Sequence, residues 1–282
     1  MSTAVTPRPI PERTIEVRRP GISYAEDATP KYFVDDDIVR SHIAAMLSSV
    51  FPEGEDFFVR SVRAYRDKIT DPVLKEQVKG FIGQEALHGR EHRAFNERLQ
   101  ELGYPTRFTD KRVKIGLGIL GKVAPKTHQL AVTAALEHYT ATLAEALLRD
   151  DEARAEFTTD EIRTLFSWHA LEETEHKSVA FDVFEHVCGE RRIRVGTMYA
   201  VHVGFLFAMT MSVTISLLFD RYARRHPLKV LRSLRRLRSH VFFQPEVLRR
   251  LKDYDRADFH PDDHDTVELL ERWRQELTLQ AA

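Results

Sequence analysis

A chain of 282 residues with 42 basic and 43 acidic side chains is long enough for one large core and lacks the overall charge bias that binds nucleic acid. The single cysteine, Cys188, excludes an internal disulfide framework and a thiolate cluster, so any metal must be held by Glu, Asp and His, in keeping with a reducing cytoplasmic setting. The opening MSTAVTPRPIPERTIEVRRPG lacks the apolar stretch of an export signal, and export is not expected.

Residues 1–30 read as an irregular arm, because Pro7, Pro9, Pro11, Pro20 and Pro30 interrupt any regular element. Helical patterning starts in DDDIVRSHIAAMLSSV, with Asp35 or Asp36 as N-cap and Ile38, Ile43 and Leu47 among the apolar positions. A helix over 54–69, ended by ITDP, and a long one over 73–103, closed by Gly103, come next, followed by a glycine-rich loop region. Two further helices are predicted over 129–150 and 159–189; Thr159 or Asp160 opens the second and Gly189 closes it. Residues 195–219 are uncharged, long enough to span a bilayer, and flanked by Arg191, Arg192, Arg194 and Arg221. His202 and the interspersed Thr, Ser and Tyr argue instead for a helix that is buried on the bundle or inserts shallowly. RYARRHPLKVLRSLRRLRSHVFFQ reads as a solvated amphipathic helix and loop, with contact to an anionic membrane surface as the second reading. His260-Pro-Asp-Asp-His264 reads as a turn into a terminal helix. No stretch alternates as a strand would. The predicted fold is all-α: a helical bundle over 31–190, the arm over 1–30, and a C-terminal helical extension over 191–282 that packs on the bundle within a single domain.

In FIGQEALHGREH, Glu85, His88 and His92 lie within roughly 60° of one another on a helix, so one face presents a carboxylate and two imidazoles. The pattern Glu85-x-x-His88 recurs as Glu173-x-x-His176, with His169 a further turn back on the same side. One such match is a common accident of a solvated helix face; two must be tested for partners. In a four-helix bundle that binds two metals, each Glu-x-x-His helix needs a neighbour supplying another inward carboxylate. Reflecting Glu85 through the turn near Ile69–Asp71 lands on Glu55, by the equal rise of both helices. The same reflection of Glu173 through the acidic turn near Ala155 lands on Glu137, an isolated acid in the apolar run AALEHYTA. A lone buried carboxylate is costly unless a cation pairs with it. Glu53 is nearly as well placed, but Glu55 shares a stripe with Phe58 and Val62. Glu172 shares the face of His169 and His176, and the Glu-x-x-His register favours Glu173 over it. His92 is a candidate ligand or a group that orients one. Tyr139 and His202 are candidates for a substrate pocket, His202 alternatively being a satisfied interior polar group.

Glu55, Glu85, His88, Glu137, Glu173 and His176 together resemble the ferritin-like di-iron carboxylate arrangement, and the added His169 is similar to the three-histidine variant of the p-aminobenzoate N-oxygenase group. Over most of residues 14–275, the stretches FPEGEDFFVRSVRAYRDKI, FIGQEALHGREHRAFN, ALEHYTA, HALEETEHKSVAFDV and YDRADFHPDDHD resemble the bacterial family labelled predicted metal-dependent hydrolases. The ferritin-like resemblance implies two iron ions (Fe2+/Fe3+), with Mn or Zn as alternatives, in an oxidase or monooxygenase that uses O2 on a small apolar or aromatic molecule. Electrons must then come from an external reductase or ferredoxin, since no Gly-x-Gly-x-x-Gly pattern is present. The family label points to the alternative, a hydrolase whose metals activate water. A non-enzymatic iron-handling or membrane-associated protein is the third reading. The expected location is cytoplasmic, with membrane association as the alternative; a homodimer is a candidate assembly, and no nucleic-acid partner is expected.

Overall fold

The structure, a computed structural model, describes residues 8–24, 29–277 and 280–281; residues 1–7 and 25–28 of the predicted arm lie outside the described residues. The first helix is capped by Asp37, not Asp35 or Asp36: the Asp37 carboxylate accepts the Arg40 amide, while the two preceding aspartates take positive φ in the turn. Helix α1 runs Ile38–Arg63 straight through Pro52, so the element predicted over 54–69 is the second half of a longer helix. Proline removes a backbone donor and thereby frees the carbonyl four residues earlier. Here that carbonyl belongs to Ser48, and Asn96 Nδ2 donates to it at 3.0 Å, which is how the helix tolerates the proline.

Asp71 caps α2 (Pro72–Glu101). Where a glycine-rich loop was expected, α3 (Thr106–Val123) forms. Each of its glycines costs about 1 kcal/mol relative to alanine, but Leu117 and Leu120 pack against the core, and burial of an apolar face outweighs propensity. Then follow α4 (Lys126–Arg149), the short α5 (Asp151–Ala155), α6 (Asp160–His176) and α7 (Val179–Val187). The single helix predicted over 159–189 is thus interrupted at Lys177 and Ser178. Lys177 turns to Glu145, Thr266 and the His264 carbonyl, and Ser178 accepts from Arg13. The C-terminal part comprises α8 (Arg191–Phe219), α9 (Arg221–Arg225), α10 (Pro227–Arg236), α11 (Pro245–Asp253) and α12 (Val267–Glu276). Before α12, His260 caps a short turn whose Asp262 amide it accepts.

The molecule is an all-α helical bundle in which α1, α2, α4 and the α6–α7 rod enclose the core. One apolar cluster includes Met46, Phe95, Leu148, Leu165 and Trp168; a second includes Phe58, Val62, Leu74, Phe81, Leu130 and Phe184. Between them in chain register, all four rods carry buried acids or histidines. Regular strand pairing among the described residues is confined to β1 (Arg18–Arg19) and β2 (Gln280–Ala281).

The arm lies directly on α2. A Cβ at Gly80 would come within 2.5 Å of the Ile15 carbonyl oxygen, and one at Gly83 within 2.5 Å of a Val17 methyl. Gly80→Ala is therefore expected to displace the arm at a cost of about 1–3 kcal/mol, visible as a lower urea midpoint and faster proteolysis before α1.

Two buried histidines are expected to make the fold acid-sensitive. His42 Nδ1 lies 2.6 Å from Ser216 Oγ and Nε2 lies 3.2 Å from Asp220 Oδ2, tying α1 to the end of α8. Burial pushes its pKa down to about 4, although Asp220 works the other way. His138, bonded to the Arg250 carbonyl, is pushed down to about 3 by burial. Unfolding releases each to an ordinary value of 6.5, so the unfolded chain binds more protons below that pH. Their stabilising contribution is complete above pH 6.5 and is lost as the pH falls towards 4 for His42 and towards 3 for His138. His42 alone would account for about 3 kcal/mol by the lower limit. Thermal unfolding is expected to show a falling Tm across this window, with a shallower fall in His42→Gln.

Candidate metal centre

Helical periodicity brings Glu55 of α1, Glu85 and His88 of α2, Glu137 of α4, and His169, Glu173 and His176 of α6 into the bundle interior, all buried. Three overlapping groups form: Glu55 with His88 and His169, Glu85 with Glu137 and His176, and Glu85 with His88 and Glu173. In each, one ligand atom per residue lies within 4.8 Å of the others.

Hydrogen bonds around the cluster assign which ring nitrogen faces inward. The Gln84 amide NH2 donates to the Glu16 carbonyl and to Glu175, so its Oε1 accepts from His176 Nδ1 at 2.8 Å. That leaves a lone pair on His176 Nε2, 3.1 Å from Glu85 Oε1 and 3.2 Å from Glu137 Oε2. His88 Nε2 donates to Glu172 at 3.0 Å, leaving Nδ1 inward, 3.8 Å from Glu85 and 3.9 Å from Glu173. The third imidazole is set from further away. Because Asn96 Nδ2 is held by the Ser48 carbonyl, its Oδ1 takes the Ser48 hydroxyl (2.8 Å), Ser48 Oγ accepts from His92 Nδ1 (2.9 Å), and His92 Nε2 accepts from His169 Nδ1 (2.6 Å). His169 Nε2 then directs its lone pair at Glu173 Oε1, 2.9 Å away.

Lone pairs facing carboxylate oxygens repel unless a proton or a metal cation lies between them. Both oxygens of Glu55, Glu85 and Glu137, with His88 Nδ1 and His176 Nε2, are buried without a hydrogen-bond partner. The 3.1 and 3.2 Å separations at His176 lie within ion-pair reach yet out of hydrogen-bond alignment. They match adjacent corners of a coordination shell with bonds of about 2.0–2.2 Å, which stand roughly 3 Å apart. The residues therefore fit cations, and the four carboxylates balance two divalent ions.

Without cations the electrostatics are unfavourable. Burial pushes Glu55, Glu85 and Glu137 above the ordinary carboxylate range, and neighbouring carboxylates push them further. Glu173 is also penalised by burial, but the imidazoles of His169 and His176 beside it hold it below that range. His176 is raised despite burial because Glu137 and its other carboxylate neighbours demand a positive charge.

Several residues that the sequence did not single out support the cluster. Thr140 donates to Glu173 Oε2 at 2.5 Å. The Arg18 amide donates to Glu172 (3.0 Å), and its guanidinium grips Glu175 through bonds of 2.7 and 3.0 Å. Trp168 donates to the Arg18 carbonyl and turns its ring edge-on to His88 at 4.9 Å; Phe81 does the same to His176 at 4.9 Å. No local pattern marks Arg18, which comes from the arm, or Ser48 and Asn96, which act through two intervening rings.

Other candidates fall elsewhere. Glu53 pairs with Arg93 and Lys114. Glu172 supports His88 from behind, and its pKa is pushed up to about 8 by burial and by Glu175. His92 stands outside all three groups, with both nitrogens engaged by Ser48 and His169, which fits a role in orienting His169. Tyr139 and His202 bond to each other where α4 meets α8 and do not line the cleft of about 410 Å³ between α1, α3 and α4. That position fits His202 as a satisfied polar group.

A family model described as predicted metal-dependent hydrolase matches residues 16–265. The chain belongs to this family. No curated protein and no solved structure matches it. The span matched to the predicted metal-dependent hydrolases contains every residue of the cluster and also Arg18.

Proposed function

We propose that this family member is a dinuclear iron oxidoreductase that uses O2 to oxidise a small apolar or aromatic molecule. The observation that carries the reading is the donor set: four carboxylates and three imidazoles, with no thiolate, on rods related by two Glu-x-x-His pairs. Oxygen and imidazole donors suit iron and manganese. Glu85, Glu137 and His176 would hold one ion and Glu55, His88 and His169 the other, with Glu173 placed between His169 and His176 to reach both. Two bound ferrous ions would supply the electron pair that O2 takes up, replenished by an external reductase or ferredoxin.

The chain's own part is orientation and exclusion of water. Gln84, Glu172 and His92 hold the three imidazoles with their lone pairs inward, and Thr140 fixes one oxygen of Glu173. Trp168, Phe81 and Phe51 pack against the rings of His88, His176 and His169, so the donors sit in a dry surround where charge is felt strongly.

The family description favours a second reading, a hydrolase in which Mn or Zn in the same residues activates water. Oxygen dependence separates the two. Protein from iron-supplemented cells, reduced without air and then pulsed with O2, is expected to consume oxygen in proportion to its iron and to show a transient visible absorbance. Zinc-loaded protein that hydrolyses ester or amide substrates at full rate without air would replace the first reading by the second.

A further inference from the structure

We propose that the chain docks onto an anionic lipid bilayer through the outer faces of α3, α8 and α10, lying on the membrane surface and not crossing it. The three faces carry large apolar side chains in water. Along α8, Tyr199, Val203, Leu206, Phe207 and Leu218 recur at helical spacing on one stripe, and Val203, Leu206 and Phe207 are 73%, 60% and 66% exposed. Only 17% of the most apolar window of this helix is buried, so the expectation that it would be buried on the bundle holds for its inner stripe alone. Alongside, α3 exposes Phe108, Ile115, Ile119 and Val123; both helices pack on α1, and Arg112 reaches Met211 across them at 3.4 Å. Helix α10, also on α1, exposes Leu228, Leu231 and Leu234. Exposed apolar side chains on three helices that share α1 as their support mark an interaction site.

Charge identifies the occupant. The chain as a whole has a formal charge of −1, yet residues 221–238 hold eight basic side chains and no acidic one, α8 exposes Arg191 and Arg192 and holds no acid, and α3 holds five basic residues against Asp110. Arg221, Arg224, Arg225, Arg232, Arg235 and Arg238 are exposed and take part in none of the ion pairs among the described residues. Basic side chains interleaved with exposed Leu and Phe suit an interface of acyl chains below anionic headgroups. A second copy of the chain would instead bring two positive faces together, which like-charge repulsion opposes.

The anchoring of α8 opposes a span. At its start, Arg194 donates to the Tyr254 and Arg256 carbonyls; at its end, Asp220 pairs with Tyr32 and Lys31, each at 3.0 Å. Thr197, Met198, Val201, Ser212 and Ser216 press its inner stripe onto the bundle. Moving the helix into a bilayer would leave Arg194, Ser216 and Asp220 unpaired, whereas laying its outer face on lipid disturbs none of them.

Flotation of the full chain with vesicles tests this. It should float with vesicles containing phosphatidylglycerol, stay behind with phosphatidylcholine alone, and be released by alkaline carbonate. The Leu206→Glu/Phe207→Glu variant should lose flotation, and Arg225→Glu/Arg232→Glu/Arg235→Glu should lower partitioning at least roughly a hundredfold, with metal content unchanged in both as proof of folding. Absence of flotation with either lipid, equal flotation with both, or retention after carbonate overturns the proposal. So does a dimer in ultracentrifugation that Leu206→Glu/Phe207→Glu dissociates while vesicles bind no protein.

Discussion

Glu137→Gln is expected to abolish the binding of two metal ions per chain and, at the same time, to stabilise the metal-free protein. Both Glu137 oxygens are buried without a partner, and burial together with Glu85 and Glu173 pushes its pKa well up. A buried acceptor left unsatisfied costs about 1–3 kcal/mol, and a carboxylate more. Folding the metal-free chain therefore means either holding that charge against its neighbours or protonating it, a cost that a neutral amide avoids. With metal present the sign reverses, because the amide cannot replace a charged donor; the affinity loss should exceed the roughly 10–100-fold seen when an outer partner is removed. Elemental analysis and calorimetry in chelator, run side by side, read both effects. A variant that keeps two ions, or whose chelated form is less stable than the parent, would show that Glu137 serves the fold and not a cation.

Arg18→Ala is expected to cost about 3 kcal/mol of stability and to weaken metal binding by roughly 10–100-fold. Removing one partner of a buried ion pair typically costs about 3–5 kcal/mol. The lower end applies because Arg274 also reaches Glu175, at 2.7 Å, so the acid keeps one counter-ion. The effect on metal travels through two paths: Glu175 to Gln84 to His176, and Glu172 to His88. Urea titration of chelated protein reads the first loss, and competition with a chromophoric chelator reads the second. Loss of stability with unchanged metal affinity would confine Arg18 to fastening the arm. Arg18→Lys should recover part of the stability but little of the affinity, since an ammonium cannot reproduce the two-pronged grip on Glu175.

Helix boundaries were legible where local chemistry decides them and were lost where packing does. Thr159 caps α6 through its side chain, as the sequence suggested. Pro52 and the glycines of α3 look like breaks, yet the Asn96 amide repairs one and core contacts outweigh the other. The apolar run of α8 could not disclose which stripe meets the bundle, because large apolar side chains occur on every side of it; the bonds of Ser216 and Asp220 to His42, far along the chain, decide that.

By itself the sequence determined the helical class and the placement of Glu55, Glu85, His88, Glu137, Glu173 and His176 on rods that bring them together. Spacing along a helix, and the equal rise of two rods joined by a turn, are properties of the local backbone. Only the tertiary structure decided that His92 stands behind His169, that Glu172 bonds His88 on its far side, and that Arg18 grips Glu172 and Glu175. Those roles rest on hydrogen bonds between residues 77, 84 and 154 positions apart. Such bonds depend on how rods rotate and pack against one another, which no periodicity within a single rod encodes.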